Sequence, residues 1–466
     1  MELLGVQTKA LQESKNKAGF AYYMEMGLGK TLTALTEFLE LAKDRTVTRL
    51  VVICPNSFKT GWLDEIRKHG VEVHPFIFIS GADGSNSSFL KTEFTKPPVL
   101  IINYEAIRKP ETQGYIAKFT MGRKCMIVLD ESIQIKSHDS RQTKAALSLT
   151  PMFLYKRVLS GKPVTQGPHD LWAQLKFIGA IREKYYPFKT TFCRMGGFKA
   201  KKVVGTQNEE LLAAKMKGHV FKATKTEWTD LPPKMYTSRE YELTAKLYRM
   251  YQSMEDDFVL WLSETEVVTV DVFITKYIKL AQIQSGFIIK ENGDITELVP
   301  PELNPRFNLV RDIIEEIPGK VVVPYVHRYT LALLQRFLAD YDPAYIKGSM
   351  EPSEIQAQKD KFNNDEDCRI ILAQIKAAKY GHTLLGGINA ADKCSTMVFA
   401  ENSYSLDDRS QVEDRIHRHG QTNSCLYIDL WGTKLDHKIT QALQAKENIA
   451  QAVFSFFGKS KLSLEA

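Results

Sequence analysis

Short β-branched runs recur along the first third of the chain: Leu50–Cys54 (LVVIC), Val99–Asn103 (VLIIN) and Met126–Asp130 (MIVLD). Each is apolar at successive positions rather than at alternate ones, so each predicts a strand buried on both faces, as in a parallel sheet. A polar turn and a helix-like stretch follow each run. A second set begins after residue 300: Lys320–Val323, Arg369–Leu372, Thr396–Phe399 and Leu426–Leu430, alternating with stretches such as Thr330–Ala339. Between the sets, Thr244–Ser263 and Phe273–Gln284 show helical periodicity, and Leu231-Pro232-Pro233-Lys234 punctuates them as a non-helical segment. Strand–helix alternation on either side of a helical middle predicts two α/β lobes, 1–171 and 301–466, with helical insertions over 172–300. Pro324 predicts that the strand starting at Lys320 is short or at a sheet edge.

Composition adds little to this picture. The chain has 466 residues, too many for one ordinary domain, and 44% of them are hydrophobic and 25% charged, as in globular proteins. A formal net charge of +7 permits a polyanionic partner without requiring one. Six scattered cysteines form no CxxC pair and no zinc-ligand spacing, which predicts free thiols in a reducing compartment. The opening MELLGVQTKALQESKNKAGF has no apolar signal core, and no apolar stretch is long enough for a membrane helix. The expected location is the cytosol, or the nucleus if the source is eukaryotic.

Three segments carry candidate chemistry. In Met24–Thr31 (MEMGLGKT), Gly27, Leu28 and Gly29 can bring backbone N–H groups close to phosphate oxygens. Lys30 can meet the β and γ phosphates, and the Thr31 hydroxyl can ligate Mg²⁺. Met24 stands where the strict phosphate-loop pattern has its first glycine. Gln7 lies upstream, where an adenine-reading glutamine would sit. The strand Met126–Leu129 closes on Asp130-Glu131, placing two acids at the carboxyl edge of a sheet, where ligands bind. Asp130 can hold Mg²⁺ through water and Glu131 can deprotonate the attacking water. In the run Gln411–Gln421, Arg415 and Arg418 would share one face of a helix, as arginine fingers for a γ-phosphate. Taken singly, each segment also fits an ordinary Gly-rich turn, an acidic strand end or a solvated charged helix.

Together, in this order, the segments resemble the Swi/Snf branch of the superfamily-two helicases over nearly the whole chain. Ile53-Cys54-Pro55-Asn56-Ser57 with Trp62 and Glu65-Ile66 resembles the family's second motif, and Asn103-Tyr104-Glu105 the next. The resemblance implies DNA contacts at Pro55, Ser57, Tyr104 and Thr383. Leu159-Ser160-Gly161-Lys162-Pro163 with Asp170-Leu171-Trp172 is similar to the coupling motif, which implicates Ser160, Gly161 and Gln411. Leu231–Lys234 is similar to the family's LPPK marker, and the helix from Asp436 to Lys446 to its brace. The chain departs from the family at Ser132-Ile133, where the acidic box has Ala-His, at Lys162, where the coupling motif has threonine, and at Tyr404-Ser405-Leu406, in place of Trp-Asn-Pro. Gly381–Phe399 is also longer than the family's loop.

The resemblance implies two RecA-like lobes, ATP and Mg²⁺ as ligands, and duplex or branched DNA as partner without strong sequence preference. It implies no membrane and no particular protein partner. Phe399-Ala400-Glu401 with Gln411–Asp414 is closest to the annealing and fork-remodelling members, with roles in DNA repair and recombination. The chain opens at the glutamine motif, so a bare motor is expected. Two other readings are a nucleotide-gated DNA clamp with little turnover and an RNA-dependent ATPase.

Overall fold

The apolar runs become strands of two all-parallel sheets in the computed structural model. The structure describes residues 3–196, 202–228, 231–264, 268–378, 383–387, 393–403, 405–418, 420–444 and 464–465. Within these, the side chains at 57, 202, 226, 258–264, 268–274, 276, 352, 444 and 464–465 are not described. Two units divide the chain, 1–230 and 231–466.

The first unit is built on β1 (Gly19–Met24), β2 (Arg49–Cys54), β3 (His74–Ile77), β4 (Pro98–Asn103), β5 (Cys125–Leu129), β6 (Tyr155–Leu159) and β7 (Val220–Ala223). Their spatial order is β3-β4-β2-β5-β6-β1-β7, and every neighbouring pair is parallel. Helices cover both faces. Val51 and Ile53 of β2 join one apolar cluster, while Leu50, Val52 and Cys54 join the other. This two-sided burial explains why the strand reads as an unbroken apolar run.

The second unit repeats the plan with β8 (Lys234–Glu240), β9 (Val321–Tyr325), β10 (Ala344–Ile346), β11 (Ile370–Gln374), β12 (Thr396–Phe399) and β13 (Cys425–Trp431). The order is β8-β13-β12-β9-β11-β10, again parallel throughout. Both units therefore have the expected α/β, RecA-like architecture.

The stretch 172–300, expected as helical insertions, divides between the two units at 230/231, and one expectation, for Pro324, needs correction. The LPPK segment leads into edge strand β8, and helices Ala245–Glu264 and Val270–Gln284 belong to the second unit. There Leu247, Tyr251, Leu280 and Ile283 pack with Leu435 and Ile439 of helix Lys434–Gln444. Pro324 neither shortens β9 nor marks an edge: the strand runs on to Tyr325 between β12 and β11. Its ladder to β12 stops at Val322, so the missing proline N–H removes no bond on that side. Tyr404 and parts of Gly381–Phe399 lie outside the described residues. Among the described residues, no helix is long and apolar enough to cross a membrane. All six cysteines are buried free thiols.

Candidate nucleotide site and the arginine segment

In the first unit, β5, β6 and β1 are consecutive neighbours. Their carboxyl ends release the acidic turn at Asp130-Glu131, the segment Ser160–Pro163, and the phosphate loop Glu25–Gly29. Helix Lys30–Lys43 then begins with no acidic residue in its first turn, so its positive N-terminal end is left for an anion. Gly29 caps it in the left-handed region (φ 77°), and a Cβ there would lie 2.2 Å from Gln7 Nε2. Gln7 is 2% exposed. Its Nε2 donates to the Gly29 carbonyl at 3.0 Å and its Oε1 accepts from Leu4 N at 2.8 Å. It is a buried companion of the loop, not a surface glutamine. Leu28 is fully buried and offers the loop only its backbone, while Thr31 is half-buried.

Lys30 is almost buried, and its ammonium donates to the Met24 carbonyl at 2.9 Å and the Glu25 carbonyl at 3.4 Å. Gly161 approaches the loop so closely that a Cβ would sit 3.3 Å from Met26 N and 3.5 Å from Lys30 Nζ. Ser160, at its side, is fully buried. The loop is also tied to the chain beyond β7, because the Lys225 N–H donates to Glu25 Oε2 at 2.7 Å.

Asp130 is 1% exposed. Trp62 Nε1 donates to its Oδ2 and the Glu131 N–H to its Oδ1, both at 2.9 Å. Burial, and then the adjacent Glu131 carboxylate, push its pKa up to about 7, against the opposing pull of Trp62 and Lys30. A desolvated acid beside a second acid is a setting that a cation relieves. Hard oxygen donors from Asp130 and Thr31 suit Mg²⁺, which is held by one or two protein oxygens together with substrate phosphates. The residues present fit that ion. No cluster of three or more acidic, His or Cys ligands occurs among the described residues, and this mode of binding needs none. Glu131 itself has φ 50°, a left-handed backbone that is strained for a residue with a Cβ.

Two residues with expected DNA contacts are buried. Tyr104 is 1% exposed and its hydroxyl donates to the Asp130 carbonyl at 2.9 Å, so it supports the acidic turn from below. Pro55 is buried, whereas neighbouring Asn56 is exposed; the Ser57 side chain lies outside the described residues. Trp62 and Tyr104, as holders of Asp130, could not be read from the sequence, since only the folded register brings them to it.

In the second unit, the helix carrying Gln411 is Leu406–Glu413, and it ends before both arginines. Beyond it the chain continues as a turn, in which the Glu413 carbonyl accepts from Ile416 N and His417 N at 3.3 Å and from the Tyr427 hydroxyl at 3.0 Å. The two arginines follow on that turn and not on the helix itself. Arg415 is 2% exposed and its Nε donates to the Gln411 carbonyl at 2.8 Å; Arg418 is half-buried. Gln411 Nε2 donates to Asp407 at 3.0 Å. The LPPK marker braces this run. Lys234 Nζ lies 3.1 Å from both Glu413 and Asp414, and His417 Nε2 lies 2.8 Å from the Pro232 carbonyl. Burial lowers the Lys234 pKa, but Asp414 and Glu413 outweigh it and hold the ammonium above the usual lysine range. Thr383 is half-buried, and its carbonyl accepts from Asn363 Nδ2 at 3.1 Å.

Comparison with known proteins settles the family. The sequence model described as the SNF2-related domain matches residues 10–286, more than half of the chain. The chain belongs to the SNF2-related family, the Swi/Snf-type ATPases. A Caenorhabditis elegans homolog of the SWI/SNF-related matrix-associated actin-dependent regulator of chromatin subfamily A-like protein 1 is 25% identical over 407 residues, 86% of this chain and 54% of that protein. The Mus musculus DNA annealing helicase and endonuclease ZRANB3 is 22% identical over 86% of this chain and 36% of its own length. A Sulfolobus solfataricus SWI2/SNF2 ATPase core solved with dsDNA aligns over 98% of this chain and 93% of that one, at 20% identity and a TM-score of 0.43. This SNF2-related chain spans about half the length of the first curated relatives it matches.

Proposed function

We propose that the chain is an ATP-driven motor on DNA that remodels branched duplex by branch migration, fork regression or annealing. The observation that carries the hydrolytic part is the convergence of three adjacent strand ends on one place: phosphate loop, acidic turn and coupling segment. The Lys30 charge pulls the Asp130 pKa down against burial. In this reading the first-turn N–H groups and Lys30 bind the phosphates of ATP, and Asp130 and Thr31 hold Mg²⁺. Bound there, Mg²⁺ would neutralise charge on the phosphates. Glu131 takes the proton of the attacking water. Arg415 and Arg418 spread the charge of the transferring phosphoryl group. DNA as the partner is supported by the family and by the relatives' names, the mouse annealing helicase above all. Among the second-motif residues, exposed Asn56 is better placed than Pro55 or Tyr104 to touch a polymer.

The test is ATP turnover measured with duplex, fork, four-way junction, single-stranded DNA and RNA. Stimulation is expected with DNA and greatest with branched forms. Lys30→Ala should reduce turnover by roughly 10³-fold or more while DNA binding persists. Wild-type turnover in that variant would remove the nucleotide-site assignment. DNA binding without turnover in the wild type would instead favour a nucleotide-gated clamp, and stimulation by RNA alone an RNA-dependent ATPase.

A further inference from the structure

Directly after Glu131, the chain puts a hydroxyl inside the apolar core. Ser132 is fully buried, and its Oγ donates to Gln174 Oε1 at 2.7 Å. Gln174 is itself fully buried on helix Leu171–Phe177, among Leu171, Ala173 and Leu175. Its Nε2 donates to the Pro163 carbonyl at 2.9 Å and to the Asp170 carbonyl at 3.0 Å. These two acceptors fix which end of the amide is which: reversed, the amide oxygen would face two carbonyl oxygens. The serine is therefore the donor. A buried hydroxyl and a buried amide are costly unless fully satisfied, and here each depends on the other for its geometry.

The bridge joins two of the three strand ends that make the candidate site. At one end is the turn whose Glu131 holds a left-handed backbone. At the other is Pro163, which closes the segment whose Gly161 lies against Met26 and Lys30. Lys136 and Asp170 pin the residues that follow this segment, Thr165 and Gln166. Lys136 Nζ donates to Thr165 Oγ1 at 2.9 Å, and Asp170 Oδ2 accepts from Thr165 N at 2.7 Å and Gln166 N at 2.8 Å. With Thr165 and Gln166 so held, Gln174 is what connects the segment to the residue next to Glu131.

We propose that Ser132 and Gln174 are positioning residues for hydrolysis: their hydrogen bond holds the Glu131 turn in register with the phosphate loop through Pro163 and Gly161. The inference rests on reading Asp130-Glu131 as the hydrolytic acids. Neither residue touches ATP in this account, so their effect belongs on kcat and not on nucleotide binding.

The experiment is steady-state ATP hydrolysis with saturating DNA by Ser132→Ala, Gln174→Leu and the double variant, each checked by thermal unfolding. Ser132→Ala removes one oxygen and leaves the core filled. It is expected to lower kcat about 10-fold with the KM for ATP within about two-fold of wild type. Gln174→Leu should lower kcat at least as much, and the double variant no further than Gln174→Leu alone, because one bridge is being cut twice. Wild-type kcat in folded Ser132→Ala overturns the proposal, as do single-variant losses that multiply in the double variant. Should Gln174→Leu fail to fold, the kcat and KM of Ser132→Ala decide alone. A merely structural role would change the melting temperature and leave kcat per folded molecule intact. Failure of the underlying site reading shows separately, as wild-type turnover in Lys30→Ala.

Discussion

In the first unit the nearly buried Lys30 rests on neutral backbone carbonyls, and Asp130 accepts from an indole and a backbone N–H. Around helix Leu406–Glu413 of the second unit, as at the Arg157–Glu37 pair of the first, buried charges answer one another. Arg409 lies 2.8 Å from Glu413 and 2.6 Å from Asp429, stacks 3.3 Å over the Phe399 ring, and also donates to Asn402. Lys234 then takes Glu413 and Asp414 from the other side. The difference separates two uses of charge. Lys30 and Asp130 are held by groups that a phosphate or a cation can supplement, whereas Arg409, Lys234, Glu413 and Asp429 neutralise one another beside the backbone from which Arg415 and Arg418 project.

The sharpest way to break this contrast is to remove a charge proposed to act on the reaction from within the structural set's own neighbourhood. Arg418→Ala should lower kcat by roughly 10³-fold with little change in ATP affinity, since a finger acts on charge that develops only in the transition state. Rapid-quench turnover and equilibrium nucleotide binding measure the two quantities. If affinity collapses while kcat survives, Arg418 belongs with ground-state binding.

The structural set should respond in the opposite currency. Arg409→Met leaves Asp429 buried without its cation, and Glu413 with Lys234 alone, and is expected to cost about 3–5 kcal/mol of stability. Lys30→Met removes a cation that donates to two carbonyls and also acts on Asp130, whose carboxyl can take up a proton in its absence, so it should cost less, about 1 kcal/mol. Urea unfolding of both variants tests the comparison, and equal costs would erase the distinction.

Much of this was readable before folding and some was not. The strands at Arg49–Cys54, Pro98–Asn103 and Cys125–Leu129 lie within a residue or so of their apolar runs because both faces are buried. β8 left no such signal: as an edge strand it is mostly exposed, and its sequence KMYTSRE neither alternates nor runs apolar. The charged run at Gln411–Gln421 was conspicuous, yet its division into scaffold and candidate chemistry was not. Arg409 and Arg418 are the same residue type, and only the positions of Asp429 and Phe399, from other strands, set Arg409 apart. The Tyr427 hydroxyl that meets the Glu413 carbonyl at the helix end likewise comes from β13. The burial of Tyr104 left no mark in the sequence, because a motif gives a residue's position in the chain but not the direction of its ring. Ser132 was visible as a departure from the family, but its partner Gln174 lies 42 residues on.

The smallest expected effect concerns Asp130 and has a sign that can be worked out. Its folded-state pKa is raised to about 7, chiefly by burial and then by Glu131. In the unfolded chain an aspartate titrates near its usual value of about 4. Below about pH 4 the group is protonated in both states and contributes no pH dependence. As pH rises from there to about 7, the unfolded chain releases its proton while the folded one keeps it, so folding loses stability over that window and is level above it. Asp130→Asn cannot titrate and also loses one of the two hydrogen bonds from Trp62 and Glu131, a penalty that is the same at every pH. The informative quantity is therefore the change with pH in the melting-temperature difference between variant and wild type. From pH 5 to pH 8 that difference should move by roughly 5 °C in favour of the variant. Mg²⁺ with a non-hydrolysable ATP analogue, by favouring the ionised carboxylate, should flatten the wild-type slope. A difference that stays constant with pH, or moves toward the wild type, would show that Asp130 is already ionised in the folded chain at neutral pH, and that it is held by its neighbours much as Asp429 is held by Arg409.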